Sequence, residues 1–329
     1  MSDFQSPKMH FANKGRTLFR ASRLRNAVRF VSSLKDVLDG HESRLNGLDE
    51  RCAKLEEQLR QVVSRLVCDL EPLENRMRSE IASASLNLRE RISSRMSRKT
   101  TKERKSHPPA VRDLQADQRE LERLFPNVFP IWQKLFDNAK VEYAERPNTN
   151  LSVVDNPGAE LFRKFLLTEI SGQVLDIGCG PLSLPHYLTS QNVDQIAGID
   201  PLPGDPHRDF EFCQGFAEFL PWPNGEFDSV VIATSLDHVL SVDMTLSEIK
   251  RVLAPDGVFA LWVAFIEGAK EYDPFAEHVV PIDAFHVFHF DRPWFLKLIN
   301  RYFVVSEELP VDRLSVFYSL KPRQGTEAF

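Results

Sequence analysis

From Leu34 the apolar positions recur at alternating spacings of four and three: Leu34, Leu38, His41, Leu45, Leu48, Cys52, Leu55, Leu59, Val62 and Leu66, with charged residues at most positions between. A sustained a/d stripe of this kind predicts a coiled coil, and it is narrower than the face a core-packed helix usually presents. A helix across residues 32–67 would reach about 54 Å. An arm that long buries its stripe most simply against a second copy, so a homo-oligomer is expected. His41 and Cys52 weaken the seam and would fix its register or strand number. Pro72 should kink or end the helix, and a weaker run (Leu73, Met77, Ile81, Leu88, Ile92, Met96) extends the arm beyond the break. Residues 97–110, SRKTTKERKSHPPA, have linker composition. The expected division is a basic tail over 1–31, a coiled-coil arm over 32–96, a linker over 97–112 and a catalytic domain over 113–329.

The pattern changes in the second half. A helical stretch, DLQADQRELERLF, leads into Pro126 and an aromatic-rich segment with Phe129, Trp132, Phe136 and Tyr143. From Gly172, apolar runs (QVLDIG, QIAGID, FDSVVIAT, GVFALWVA, RYFVVSEE, RLSVFYSL) alternate with helical patterns. That alternation predicts an α/β domain on a largely parallel sheet.

Composition narrows the function classes. The chain has 329 residues, 42% hydrophobic and 27% charged, with a formal net charge of −6, which argues against nucleic acid as a partner. The charge is uneven: residues 1–30 carry seven basic side chains against one acid, Asp3. Three readings of that segment stay open: a solvated tail, a basic amphipathic helix resting on an anionic membrane, and a mitochondrial transit peptide. Four cysteines without a CxxC pair fit a reducing compartment. With no apolar run of membrane-spanning length, a cytoplasmic location is expected.

The strongest motif is VLDIGCGP, residues 174–181. A buried strand runs into a Gly-x-Gly turn, where Gly178 and Gly180 let the backbone approach a ligand closely. A dinucleotide site wants a third glycine at the helix start, and that register holds Ser183. Asp176 ends the first strand. Asp200, in IAGIDP, ends the second and is placed to accept from both hydroxyls of a ribose, so the ligand contains a nucleoside.

Residues 172–262 resemble the class I methyltransferase family, through VLDIGCGP, IAGIDP, GFAEFLPWPNGEFDSVV, SLDHV and EIKRVLAPDGVFALW. The resemblance implies a Rossmann-like seven-stranded sheet with a reversed last hairpin, and S-adenosylmethionine as cofactor. It puts Gly178, Cys179, Gly180 and Ser235 beside the methionine part and Asp176 near the sulfonium and amino end. Asp200 and Pro201 fall at the ribose, and Phe216, Ala217 and Glu218 at the adenine. Where the family often has an aspartate before Ala-Glu, this chain has Phe216, which shifts adenine recognition toward stacking and backbone contacts.

His238, with Asp237 beside it, follows the fourth strand in this fold. It is a candidate general base for an alcohol acceptor, with a helix-capping or packing histidine as the alternative. His286 and His289 lie in EHVVPIDAFHVFHFDRPW, where the family often builds its acceptor pocket. No metal is assigned: the two histidines would hold one only if Asp237 or Asp283 joined them. The SLDHV and FHVFHFD segments look like glycan-cluster methyltransferases, so a hydroxyl of a sugar or glycan intermediate is the expected acceptor. The alternatives are a quinone precursor or other small metabolite, and a non-catalytic oligomeric scaffold.

Overall fold

The computed structural model describes residues 72–90, 113–146 and 155–324, with Pro109 and parts of the segment 29–65. The chain divides into two compact units, 1–71 and 72–329. In the first, residues 50–62 are helical, and the heptad positions Leu55, Leu59 and Val62 are exposed along with Leu34. The heptad positions Leu38, His41, Leu45, Leu48 and Leu66, the basic tail over 1–28 and most of the 97–112 linker lie outside the described residues.

The second unit begins earlier than the sequence suggests. Residues 72–90 are helical, but Leu73, Met77, Ile81 and Leu88 all face outward. Ala82 and Leu86 are the buried positions, and Leu86 joins a core cluster with Leu161, Phe162, Phe165 and Phe317. Polar ties fasten the same helix. Arg89 pairs with Glu169 at 3.4 Å and with Glu307, and Lys164 donates to Asn87 at 2.7 Å. Residues 72–90, inside the segment 32–96 read as an arm, thus pack on the same unit as the sheet.

Helices α1 (Leu114–Leu124), α2 (Phe129–Glu145) and α3 (Pro157–Glu169) precede the sheet. Helix α3 starts on Asn156, whose side chain accepts from the Gly158 and Ala159 amides, with Pro157 at the first helical position. Seven strands follow: β1 (Val174–Ile177), β2 (Ile196–Asp200), β3 (Glu211–Gln214), β4 (Phe227–Ala233), β5 (Leu253–Ala264), β6 (Phe303–Pro310) and β7 (Ser315–Pro322). Two more helices intervene, α4 (Val242–Val252) and α5 (Arg292–Tyr302).

The sheet order is β3-β2-β1-β4-β5-β7-β6. β1 to β5 are parallel, and β7 runs antiparallel between β5 and β6. This is the expected Rossmann-like sheet with its reversed hairpin. Side chains alternate across it with period two. Leu175, Ile177, Val230, Ile232, Phe259 and Leu261 enter one core, whereas Val174, Val231, Ala260 and Trp262 enter the other.

The crossover from β1 to β2 holds no α-helix. It passes through bends and two single 3-10 turns, His186–Leu188 and Val193–Gln195. Pro181 and Pro185 explain this, because each disfavours helical backbone at the residue before it and removes an amide donor.

Candidate functional site

The parallel strands end at one edge of the sheet, and the order reverses between β1 and β4, where folds of this type leave a crevice. There a narrow slot meets a wider chamber of about 520 Å³. The slot is lined by Gly178, Asp200, Pro201, Phe216, Ala217, Glu218, Ser235 and His238. Gly178, Gly180, Ser235, Asp237, His238, His286 and His289 line the chamber.

The turn after β1 needs its glycines. Gly178 and Gly180 have φ of 71° and 70°, the left-handed region that L side chains rarely adopt. At Gly178 an added Cβ would also lie 2.3 Å from the Ser235 Oγ. The turn is held from three directions. The Gly178 amide donates to the Ile199 carbonyl at 2.8 Å, the Gly180 amide to the Asp200 Oδ2 at 2.9 Å, and the Arg208 guanidinium to the carbonyls of Gly180 and Leu182 at 2.8 and 2.9 Å. Arg208 also lies over the Phe212 ring at 4.0 Å. No local pattern marks Arg208 for this role, because its partners lie 26 to 28 residues away.

Asp200 accepts from the Leu202 amide through Oδ1 at 2.8 Å while lining the slot. Burial pushes its pKa up, opposed by the two amide bonds and by Arg208. Glu218 is also buried, and its Oε1 accepts from the Leu240 and Ser241 amides at 2.8 and 3.0 Å, which anchors the start of α4. Phe216 packs edge-on against Trp132 and Phe136, with centroids 5.7 and 6.3 Å apart.

Two expected site residues do not reach the cavity. Asp176 is fully buried on the α3 side of the sheet, where its Oδ2 accepts from the Tyr187 hydroxyl at 2.9 Å and its Oδ1 has no hydrogen-bond partner. Its β1 position turns it away from the face that carries Leu175 and Ile177, so it lies behind Tyr187, which does line the chamber. The Cys179 side chain is likewise in the core beneath the turn.

Burial raises the Asp176 pKa to about 7, with the Tyr187 bond opposing. The folded protein therefore keeps a proton there that the unfolded chain releases near pH 4. This contribution to stability is full below about pH 4 and is lost as pH rises through about 7. Urea denaturation between about pH 5 and 7.5 should show stability falling with pH, and falling less steeply in Asp176→Asn. Equal slopes in the two proteins would contradict the assignment.

Helix α2 supplies a wall that motif reading missed. Trp132, Leu135, Phe136, Ala139 and Tyr143 all line the slot. The Trp132 indole donates to the His238 carbonyl at 2.9 Å. Tyr143 sits near enough to Asp200 and Asp237 that burial, and then their charges, push its pKa up to about 12.

At the chamber end, Thr234 has φ of 57°, the one non-glycine residue in left-handed backbone among those described. Such strain tends to persist at functional sites. It turns the chain into the 3-10 turn Leu236–His238. His238 is exposed where it borders the cavity. Desolvation lowers its pKa, Asp237 opposes this, and His286 adds to the lowering, so the imidazole is neutral near pH 7. His286 lies 4.3 Å from it, ring centroid to ring centroid.

Across both compartments four carboxylates face the cavity, those of Glu142, Asp200, Glu218 and Asp237. Among the described lining residues there is no lysine or arginine. Such a cavity repels a pyrophosphate and suits a cation.

Residues 175–261 match the methyltransferase-domain family model. The chain is 32% identical over 125 residues to an uncharacterized methyltransferase of Synechocystis sp., covering 34% of this chain and 58% of that protein. It is 31% identical over 116 residues to a demethylmenaquinone methyltransferase of Symbiobacterium thermophilum, covering 31% of this chain and 45% of that one. It is also 37% identical over 91 residues to a mitochondrial arginine-hydroxylase of Rattus norvegicus, covering 26% of each. The matched segment thus spans less than two thirds of these relatives. Together, the family match, the strand order and the glycine turn support a class I methyltransferase domain in the second half of this chain.

Proposed function

We propose that the protein transfers a methyl group from S-adenosylmethionine to a hydroxyl of a sugar or glycan intermediate. The observation that carries the cofactor assignment is the acid-lined cavity, free of lysine and arginine, around a positive-φ glycine turn. A nucleoside bearing a sulfonium fits it, whereas a dinucleotide does not.

In this reading Asp200 and Pro201 hold the ribose, and Gly178, Gly180 and Ser235 border the methionine part. Phe216, Ala217 and Glu218, with Trp132 and Phe136, enclose the adenine. Asp176, behind Tyr187, makes no contact with the ligand. S-adenosylmethionine, when bound, supplies a methyl group already activated by its positively charged sulfur. The chain's own work is then to align the acceptor, exclude water and take a proton. His238 lines both slot and chamber, so it stands at their junction and serves as the proton acceptor, with Asp237 beside it. His286 and His289 line the chamber and offer their ring nitrogens to the hydroxyls of an acceptor there.

A second reading, methylation of a quinone precursor, is favoured by the apolar side chains Phe275, Val280 and Ile282 exposed in the segment between β5 and α5, with 69%, 81% and 50% of their surface accessible. Methyl-labelled S-adenosylmethionine incubated with the full chain and either sugar or quinone-precursor acceptors separates the two. Label should enter the sugars, and His238→Ala should cut that transfer by about 100-fold or more at unchanged cofactor affinity. Label in the quinone precursors alone would replace the proposal.

A further inference from the structure

We propose that Asp283, His286 and His289 form a divalent-cation site at the chamber wall, one that takes a borderline ion of the zinc and cobalt kind. The three residues sit at Asp-x2-His-x2-His spacing in the irregular segment between β5 and α5. Their donor atoms all lie within 4.8 Å of one another. The Asp283 Oδ2 is 2.8 Å from the His286 Nδ1 and 3.5 Å from the His289 Nε2. An ion with bonds of about 2.0–2.2 Å sets neighbouring tetrahedral ligands roughly 3.3–3.5 Å apart. The two separations from the Asp283 carboxylate already bracket that range.

The local backbone is organised around these side chains. The Asp283 Oδ1 accepts from the amides of Phe285 and His286 at 2.8 and 2.7 Å, so the carboxylate fixes the turn that aims both imidazoles. Behind them, Val287, Phe288 and Phe290 are buried, and Phe288 stacks on Tyr272 at 4.3 Å. Neighbouring residues therefore divide their labour: 287, 288 and 290 anchor the loop, while 286 and 289 face the chamber. The far nitrogen of His286, Nε2, lies 3.8 Å from the Asp237 Oδ2. A ligating histidine usually directs its other ring N–H at a carboxylate, which fixes the tautomer and raises ligand basicity.

A simple histidine–carboxylate hydrogen bond would account for Asp283 and His286 but not for His289, whose ring also points at the same carboxylate. Charge points the same way: Asp237 and Glu142 line the chamber with no lysine or arginine among its lining residues, and Asp283 stands against His286 and His289. Two imidazoles and one carboxylate match the donor preferences of borderline divalent ions and leave coordination positions open. Open positions on the chamber side suit an acceptor with neighbouring oxygens, such as a vicinal diol. That role rests on the methyl-transfer reading, whereas ion binding itself does not.

The test uses the full chain, freed of metal by chelator dialysis, with Co2+ as the optical probe and Zn2+ as competitor. One equivalent of Co2+ should bind with micromolar affinity, give visible d–d absorption and be displaced by Zn2+. His289→Gln and Asp283→Asn, two surface-side changes expected to keep the wild-type melting temperature, should each weaken Co2+ binding by about 10–100-fold or more. A folded wild-type protein without saturable Co2+ absorption would overturn the site, as would affinity retained in both variants. Titration of the same samples with S-adenosylmethionine reports separately on the methyl-transfer reading, so the two ideas fail independently.

Discussion

Valine at position 178 should lower the melting temperature by about 6–12 °C and remove measurable affinity for S-adenosylmethionine. Two costs combine. The backbone is at φ 71°, where a side chain costs about 1–3 kcal/mol and a β-branched one is worst placed. The new Cβ would also stand 2.3 Å from the Ser235 Oγ and 2.5 Å from its Cβ, an overpacking that costs about 1–3 kcal/mol more. Ser235 has little room to yield, because its hydroxyl donates to the Ile177 carbonyl at 2.9 Å. Gly178→Ala combined with Ser235→Gly separates the two costs: it removes the collision, keeps the left-handed strain, and should recover about half of the lost stability. A Gly178→Val protein that melts and binds like the wild type would show that the turn does not shape the site.

Asp200→Ala should weaken cofactor binding by about 100–1,000-fold while leaving the sheet assembled. The carboxylate stands at the tip of β2 and lines the slot. Hydrogen bonds from two ribose hydroxyls to a charged acceptor contribute about 1.5–3 kcal/mol each, and each 1.4 kcal/mol is a factor of about ten. The loss also reaches the turn, since the Gly180 and Leu202 amides give up their acceptor. Asp200→Asn keeps one acceptor oxygen and should fall between the two. Calorimetry gives the affinities and thermal melting the fold control. Wild-type affinity in a folded Asp200→Ala protein would remove the ribose assignment.

Much of the catalytic fold is legible in the chain because buried parallel strands leave strong local signals. Val174 to Ile177 ends on a glycine turn, Ile196 to Asp200 ends on an acid, and both strands emerge where their runs stop. β3 escapes such reading because Glu211–Gln214 is a four-residue edge strand with only partly buried side chains. The helix expected after the glycine turn is missing for a local reason, the prolines at 181 and 185. The packing of residues 72–90 is hidden for another reason. Leu73, Met77, Ile81 and Leu88 make the more conspicuous apolar stripe, but the domain packs on Ala82 and Leu86, and helical periodicity does not say which face finds a partner.

The site divides in the same way. Residues bound into motifs, Gly178, Gly180, Asp200 and Ser235, line the cavity. Residues brought from far away in sequence do not announce themselves. Trp132, Phe136 and Tyr143 repeat on one helical face, a pattern that an ordinary core helix shares. Arg208 and Asp283 act through main-chain bonds that no side-chain pattern records. Asp176 shows the limit of transferring a role along a motif: the strand's two-residue alternation sends it to the opposite face from the cavity.

The most direct test of the central claim is a calorimetric titration of S-adenosylmethionine, and separately S-adenosylhomocysteine, into the purified full-length chain. One-to-one binding of both at micromolar affinity, with a matching rise in melting temperature, is the predicted result. A folded protein that binds neither at millimolar ligand would contradict the account.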